Sequence, residues 1–440
     1  MASPVGAGTI RRNLSPNHVT LLRRSHEQAA SPGLDRHSSL VTCPELVLSS
    51  VDSCAVGTGE RRGPRSPARA EVVGSLLRPP VLRRAIDALY ERGRSAVLTE
   101  EREKDRTALR ELEDAAIRDV VRRQIDIGLD LVTDGEFRRW MFMNSFYDAV
   151  SGVRTGKTVT FRNDRGEDPE LAVHEIVAPL QQVDSPAARE AAFMVQATGG
   201  YPFKVTFPAA SIFVHPFTTL DDAYGSVDDF AEAAIRIERR LVAEAIEAGA
   251  TQVQFDFPLY PYLVDPVWVE RFEARGHPVA DLVDAAIAAD TAVLEDIPDG
   301  VTVAVHICRG NFRSSWMCEG SLGPVAERVF GELPYDAFLV EWDDLGRDGG
   351  FEPVRHLRDG STMVMGIVST KTPVLEDEDD LLRKMDVAAG FVGGMDRLAI
   401  SPQCGFASVM VGNEIDEGTQ WRKLELVAGV ADRIWGRSAT

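Results

Sequence analysis

The sequence is short of cysteine, with five in 440 residues. So few in a chain of this length exclude a disulfide framework and lead us to expect reduced thiols in the cytoplasm. Long apolar runs are missing too. No stretch approaches the roughly 20 apolar residues of a membrane-spanning helix. No apolar segment follows Arg11-Arg12 or Arg23-Arg24, so a signal peptide is not expected. Positive charge is scarce: 48 Lys and Arg stand against 68 Asp and Glu, a net charge of −20. That balance excludes a general nucleic-acid binder, which needs clustered cations against phosphate, and it disfavours an anionic membrane surface. A small anionic substrate held by a few local cations stays open. The rest, 44% hydrophobic and 26% charged, is ordinary for a globular protein.

Residues 1–68 stand apart. They are rich in Ser, Arg, Pro and Gly, and residues 1–70 hold nine Arg and no Lys against five acidic residues, a mildly basic stretch on an acidic body. This composition predicts a low-complexity, disordered tail. Cys43 and Cys54 lie there without a His in ligand spacing.

From Glu71 onward short apolar strands alternate with helical stretches. The expected strands are 71–76, 129–136, 203–208, 251–258, 302–310, 337–344, 362–370 and 397–404. Most are continuous Val, Ile, Ala and Phe runs, as in parallel strands buried on both faces. Between them, Ser226 and Asp229 have capping-box spacing, and Phe230, Ala234, Ile237, Leu241 and Ala245 recur at helical period up to Gly249. Leu109, Leu112, Ala116 and Val120 mark a second helix, and Leu424, Val427, Ala431 and Ile434 a last one. Eight strands alternating with helices predict a (β/α)8 barrel over residues 69–440. The segment from about 145 to 200 is too long for a loop between strand and helix. It reads as an insertion after the second strand, with its own hairpin (153–164) and helix (185–200).

Active sites of such barrels lie at the C-terminal ends of the strands. Those ends carry Gly74-Ser75, Asp134-Gly135-Glu136, Asp256, His306 and Cys308, Glu341, Ser369 and Lys371, and Gln403-Cys404. Inside the apolar layers these groups would be costly; at the mouth they converge on one cleft. His306 and Cys308, two apart on one strand, share a face. By itself that pair is an ordinary core His beside a free Cys. Glu341 and Cys404 on neighbouring strand ends turn it into a zinc set of His306, Cys308, Glu341 and Cys404. Two thiolates and a carboxylate make a poor Lewis acid for hydrolysis. They suit a metal that holds an incoming thiol as thiolate, since a free thiol with pKa of about 8.5 is mostly protonated at neutral pH. Arg309 and Asn311 would line the same cleft, while Cys318 reads as a free loop thiol.

The segments VVGSLLRP, VTDGEFRR, QFDFPLY, HICRGNFRSSW, EWDD, STKTPVLED and SPQCGF span residues 72–406 in order. In them the chain resembles the catalytic barrel of the cobalamin-independent methionine synthases, most closely their short single-barrel relatives. The resemblance implies zinc on His306, Cys308, Glu341 and Cys404, and methyl transfer from 5-methyltetrahydropteroyl(poly)glutamate to homocysteine. It implies that Ser75 and the adjoining backbone at Gly74 meet the homocysteine carboxylate, and that Glu136 and Asp256 meet its ammonium. Phe257, Tyr260, Tyr262 and Trp268 become candidates to touch the pterin. Three departures stand out. The second barrel of the long synthases has no counterpart in this sequence. The family's Asp-Glu-Pro is here Asp256-Phe257-Pro258. A proton-donating His is replaced by Val368, which leaves Lys371 or a water for that role. Two other readings stay open. One is a zinc-thiolate alkyltransferase similar to the epoxyalkane–coenzyme M transferases, with Arg309, Arg313 and Lys371 facing a sulfonate. The other is a non-catalytic thiol- or metal-binding paralogue.

Overall fold

Apolar strands too short to stand alone need neighbours on both sides, and here they find them in a ring. The computed structural model describes residues 67–89, 106–160, 163–166, 170–220 and 222–436. Nearly all of the expected tail lies outside the described residues. The insertion carries an antiparallel hairpin, β1 (Val150–Thr160) and β2 (Glu170–Gln182). Six parallel strands follow: β3 (Val205–Pro208), β4 (Gln252–Asp256), β5 (Thr302–Ile307), β6 (Ala337–Glu341), β7 (Thr362–Val368) and β8 (Leu398–Pro402). They pair in sequence order. Two short segments close the ring through parallel bridges, Ala70 to Ile400, Glu71 to Leu131 and Val132 to Phe203. All eight expected strand positions are therefore occupied, and the (β/α)8 barrel is present.

The strands are shorter than expected. The first two shrink to bridges, and the others stop up to three residues before the expected ends. The trimmed residues are the ones that carry polar side chains at the mouth. The helix layer includes Thr107–Asp126, Pro186–Thr198, Val227–Glu247, Val279–Val293, Glu378–Val392 and Glu417–Trp435. Ser226 caps its helix as expected, accepting from the Asp229 N–H. In Thr107–Asp126 the buried face takes in Leu109, Glu113, Ile117, Val120 and Gln124. Gln124 can turn inward because its amide reaches the Thr133 carbonyl at 2.8 Å, so no polar group is left stranded. The helix Pro186–Thr198, expected within the insertion, lies between the hairpin and β3 and buries Ala187, Ala191 and Met194. No described helix is long and apolar enough to cross a membrane.

The lumen is filled by a small separate cluster, Val73, Ala304, Ala337, Leu339, Val364 and Ala399. Strand side chains alternate faces, so the next inward positions after Ala304, Leu339 and Ala399 are His306, Glu341 and Ser401. The period of two that packs the lumen also delivers the polar residues above it.

Candidate active site

On β5 the run Ala304, His306, Cys308 places an imidazole and a thiol on the lumen side of the mouth. Cys404 arrives just past β8, and its Sγ lies 3.4 Å from that of Cys308. A ring nitrogen of His306 and both sulfurs lie within 4.8 Å of one another. All three residues are buried, at 3–4% exposure. His306 Nδ1 is 3.2 Å from the Leu339 carbonyl, which can only accept, so Nδ1 carries the proton. That leaves Nε2, buried and without a hydrogen-bond partner. An orphaned nitrogen beside two sulfurs is a costly arrangement unless something binds there.

The two sulfurs are hydrogen-bonded to each other. Their mutual hydrogen bond lifts Cys308 well above the usual thiol range and drops Cys404 well below it. Burial would lower His306, yet the Cys404 sulfur, Asp256 and Glu341 lift it above its ordinary value. Both responses reflect negative charge concentrated in a buried space.

Glu341 has its oxygens engaged elsewhere. Fully buried, it accepts from the Arg309 N–H at 2.6 Å through Oε2, and through Oε1 it meets Lys371 Nζ at 2.6 Å and Arg347 at 2.9 Å. It adjoins the His306–Cys308–Cys404 group, close enough for its charge to act on His306 and Cys308. Lys371, expected as a proton donor, is held by this carboxylate. Burial would lower its pKa, but Glu341 and Asp343 drive it upward, which makes it a fixed cation and a poor acid. The Arg309 side chain is fully buried and pairs with a carboxylate. Its Nε lies 2.8 Å from Asp348, and only its backbone serves the site.

The carboxylates Glu136 and Asp256 come close enough to disfavour each other's charge. Burial pushes Glu136 up to about 7, against the pull of Arg139, and Asp256 up to about 6, against the pull of His306. Glu136 sits in the left-handed region at φ 57°. Its N–H donates to Asp134 at 2.8 Å and its carbonyl accepts from Arg78 at 2.8 Å, which hold that conformation. Gly74 makes room for it, since a Cβ there would lie 2.6 Å from Glu136 Oε1. Ser75 Oγ accepts from the Ala407 N–H at 3.3 Å, and the Ser75 carbonyl accepts from Phe406 at 2.8 Å. Gly405, next to Cys404, is required by this crossing: a Cβ would meet Ser75 Oγ at 2.1 Å. Asn311 fixes the same loop, donating to the Gly405 carbonyl at 2.7 Å. Tyr260 is elsewhere. It is fully buried with its hydroxyl on Asp290 at 2.6 Å, so the expected contact with substrate is corrected to a packing role.

Sequence reasoning passed over Thr206, Gln254, Lys204 and Arg139. Gln254 donates to Asp256 at 2.7 Å and accepts from Lys204 at 2.6 Å. For the first three the signal was visible: FKVTF and QVQFD place polar residues at alternate positions of strands that are otherwise apolar.

Fold and site together define a parallel eight-stranded barrel enzyme with a sulfur–imidazole centre at its mouth. Comparison then gives the family. Residues 90–417 match the cobalamin-independent synthase catalytic domain, and the chain belongs to that family. It is 31% identical over 383 residues to the uncharacterized protein YxjH of Bacillus subtilis (strain 168), covering 84% of this chain and 96% of that protein. The structure is similar to one from Listeria monocytogenes described as a vitamin-B12-independent methionine synthase. That match has TM-score 0.62 and 26% identity, over 84% of this chain and 99% of that one. A B12-independent methionine synthase from Shewanella sp. W3-18-1, solved with selenomethionine, shares the fold at TM-score 0.61 and 21% identity, over 83% and 97%.

Proposed function

We propose that this chain is a cytoplasmic zinc-dependent methyltransferase that moves a methyl group from 5-methyltetrahydropteroyl(poly)glutamate to the thiol of homocysteine, giving methionine. The observation that carries the reading is the buried His306–Cys308–Cys404 group with its unpartnered Nε2. Imidazole nitrogen and thiolate sulfur are the donors zinc takes. Those three residues would hold it, with Glu341 the adjoining carboxylate. Zinc supplies one thing there: it lowers the pKa of an incoming thiol so that the sulfur attacks as an anion.

The protein's own groups do the rest. Glu136 and Asp256 accept the substrate ammonium, whose charge offsets their mutual repulsion. Ser75 Oγ already accepts from Ala407, so its own proton is free to donate to the substrate carboxylate. Asn311, through the Gly405 carbonyl, holds the Cys404 loop in place. Lys371 stays protonated against Glu341 and sets the charge of the site; the departing folate nitrogen takes its proton from water. The sulfonate-thiol alternative asks for uncommitted cations. Arg309 is paired with Asp348, Lys371 with Glu341 and Arg313 with Glu414, so that reading is less well supported.

The test is methionine formation by zinc-loaded protein from homocysteine and methyltetrahydrofolate, with one and with three glutamates. A protein that retains no zinc and makes no methionine from either donor overturns the reading. Turnover with any alkyl donor would remove the non-catalytic alternative.

A further inference from the structure

Glu136 is supported from behind by groups that never reach the mouth. Arg139 donates through NH1 to Thr206 Oγ1 at 2.7 Å, and Thr206 Oγ1 lies 2.8 Å from Glu136 Oε1. With Glu136 ionised, the direction of this chain is set. An Arg only donates and the carboxylate only accepts, so the single hydroxyl proton of Thr206 points at Glu136. Arg139 is itself fixed by Glu190, on the helix Pro186–Thr198, through Nε at 3.1 and 3.2 Å and through NH2. All four residues are at most 5% exposed. The void among Thr133, Asp134, Glu136, Arg139, Glu190, Lys204 and Thr206 measures about 10 Å³, room for no more than about one water. Nothing the size of a substrate enters from that side.

We propose that Thr206 is a positioning residue for substrate recognition. Its hydroxyl, locked by Arg139, binds Oε1 of Glu136 and leaves Oε2 to receive the ammonium of the amino-acid thiol. This rests on the methyltransferase reading above and names the device that makes Glu136 specific for an amine. The charged groups around Glu136 are Arg139, Arg78, Asp134 and Asp256. Burial and the two aspartates favour its neutral form, and Arg139 and the Thr206 hydrogen bond favour its anion. Removing the hydroxyl removes a donor that only the anion can use fully.

The experiment is isothermal titration of full-length, zinc-loaded protein with homocysteine and with 4-mercaptobutyrate, the same thiol acid without its amine. Thr206→Val weakens homocysteine by about tenfold, as expected for one hydrogen bond to a charged group, and leaves 4-mercaptobutyrate within about twofold. Thr206→Ser restores homocysteine affinity. The fall of homocysteine affinity on acidification begins at higher pH in Thr206→Val than in wild type. Thr206→Ala, measured alongside, carries the same expectation should the valine variant not fold. Equal losses for both thiols, or no loss, overturn the proposal. Wild-type protein that binds both thiols equally well overturns it by showing that the amine is not read. Wild-type protein that binds neither overturns the methyltransferase reading itself.

Discussion

Replacing Lys371 by Met probes the ion cluster behind the sulfur–imidazole group. Glu341 is fully buried and takes three donors: Lys371 at 2.6 Å, Arg347 at 2.9 Å and the Arg309 N–H at 2.6 Å. Removing one partner of a buried ion pair costs roughly 3–5 kcal/mol, because the other charge is left uncompensated. Two donors stay on Glu341, so the lower end applies, about 3 kcal/mol for Lys371→Met. Glu341→Gln removes the charge that needed compensating, and the amide keeps the carboxylate's shape. In the double variant Lys371→Met then has little left to break. We expect the double variant to be no less stable than the worse single one, a coupling of at least about 1 kcal/mol. The assay is urea unfolding followed by Trp fluorescence, with chelator present so that bound metal adds nothing to apparent stability. Additive losses, within about 0.5 kcal/mol, would refute the reasoning. They would mean that the short contacts at Glu341 carry no net energy.

Other consequences follow from the same geometry. Cys308→Ser and Cys404→Ser should each weaken zinc by roughly a hundredfold or more. The basis is about 10–16 kcal/mol for a fully ligated zinc, of which each thiolate carries a share, and chelator competition measures it. Zinc uptake should release protons, since thiols take the metal as thiolates; an indicator dye that registers none contradicts thiol ligation. Gly405→Ala should abolish thiol binding with only a modest loss of stability, because its Cβ would occupy the position of Ser75 Oγ at 2.1 Å; unchanged homocysteine affinity argues against Ser75. Glu136→Gln should stabilise the fold while destroying homocysteine binding. The Glu136 pKa is raised to about 7 from 4.5, so the folded state holds this proton more tightly than the unfolded chain. Stability linked to it is fullest below 4.5 and is lost as pH rises through about 7. At pH 8 the variant gains on the order of 3 kcal/mol, and thermal melts at pH 4 and pH 8 test the difference.

The barrel was legible because its strands are apolar and short and its helices periodic; each of the eight expected positions holds a strand or a bridge. Strand ends were not legible. Residues such as Gly310, Trp342-Asp343 and Thr370 continue an extended-looking run in sequence, but the ladder stops before them. In the helix Thr107–Asp126 the expected Leu109 and Val120 are buried and Leu112 and Ala116 pack against the core, but the buried face also takes in Glu113 and Gln124, which a hydropathy pattern counts as exposed. His306, Cys308 and Cys404 meet as expected, since position on alternate strand faces is a property of register. Arg309 and Tyr260 did not behave as expected for a common reason. Each follows a strand and so was assigned to the cleft, but each is buried against a carboxylate, Asp348 and Asp290. Partners far apart in the chain decide such orientations, and single-strand reasoning does not see them.

Backbone strain at the mouth has the same origin as the perturbed charges. Of the six described non-glycine residues in the left-handed region, four follow barrel strands: Glu136, Phe257, Arg313 and Ser314. Such conformations cost on the order of 1–3 kcal/mol each and persist only where their surroundings hold them. Glu136 is held by Asp134 and Arg78, and Phe257 by its N–H on the His306 carbonyl at 3.1 Å. Phe257 directly follows Asp256, so the bond that holds its strained backbone also ties that buried carboxylate to the imidazole strand. The lumen below is small, apolar and unstrained. A rigid apolar floor therefore carries a rim of buried carboxylates and strained turns, each of which opposes folding by itself. Under the proposed function, a cationic amine and a metal ion would offset the buried negative charge, and the rim would then favour a ligand that brings positive charge to the carboxylates and a sulfur to the metal.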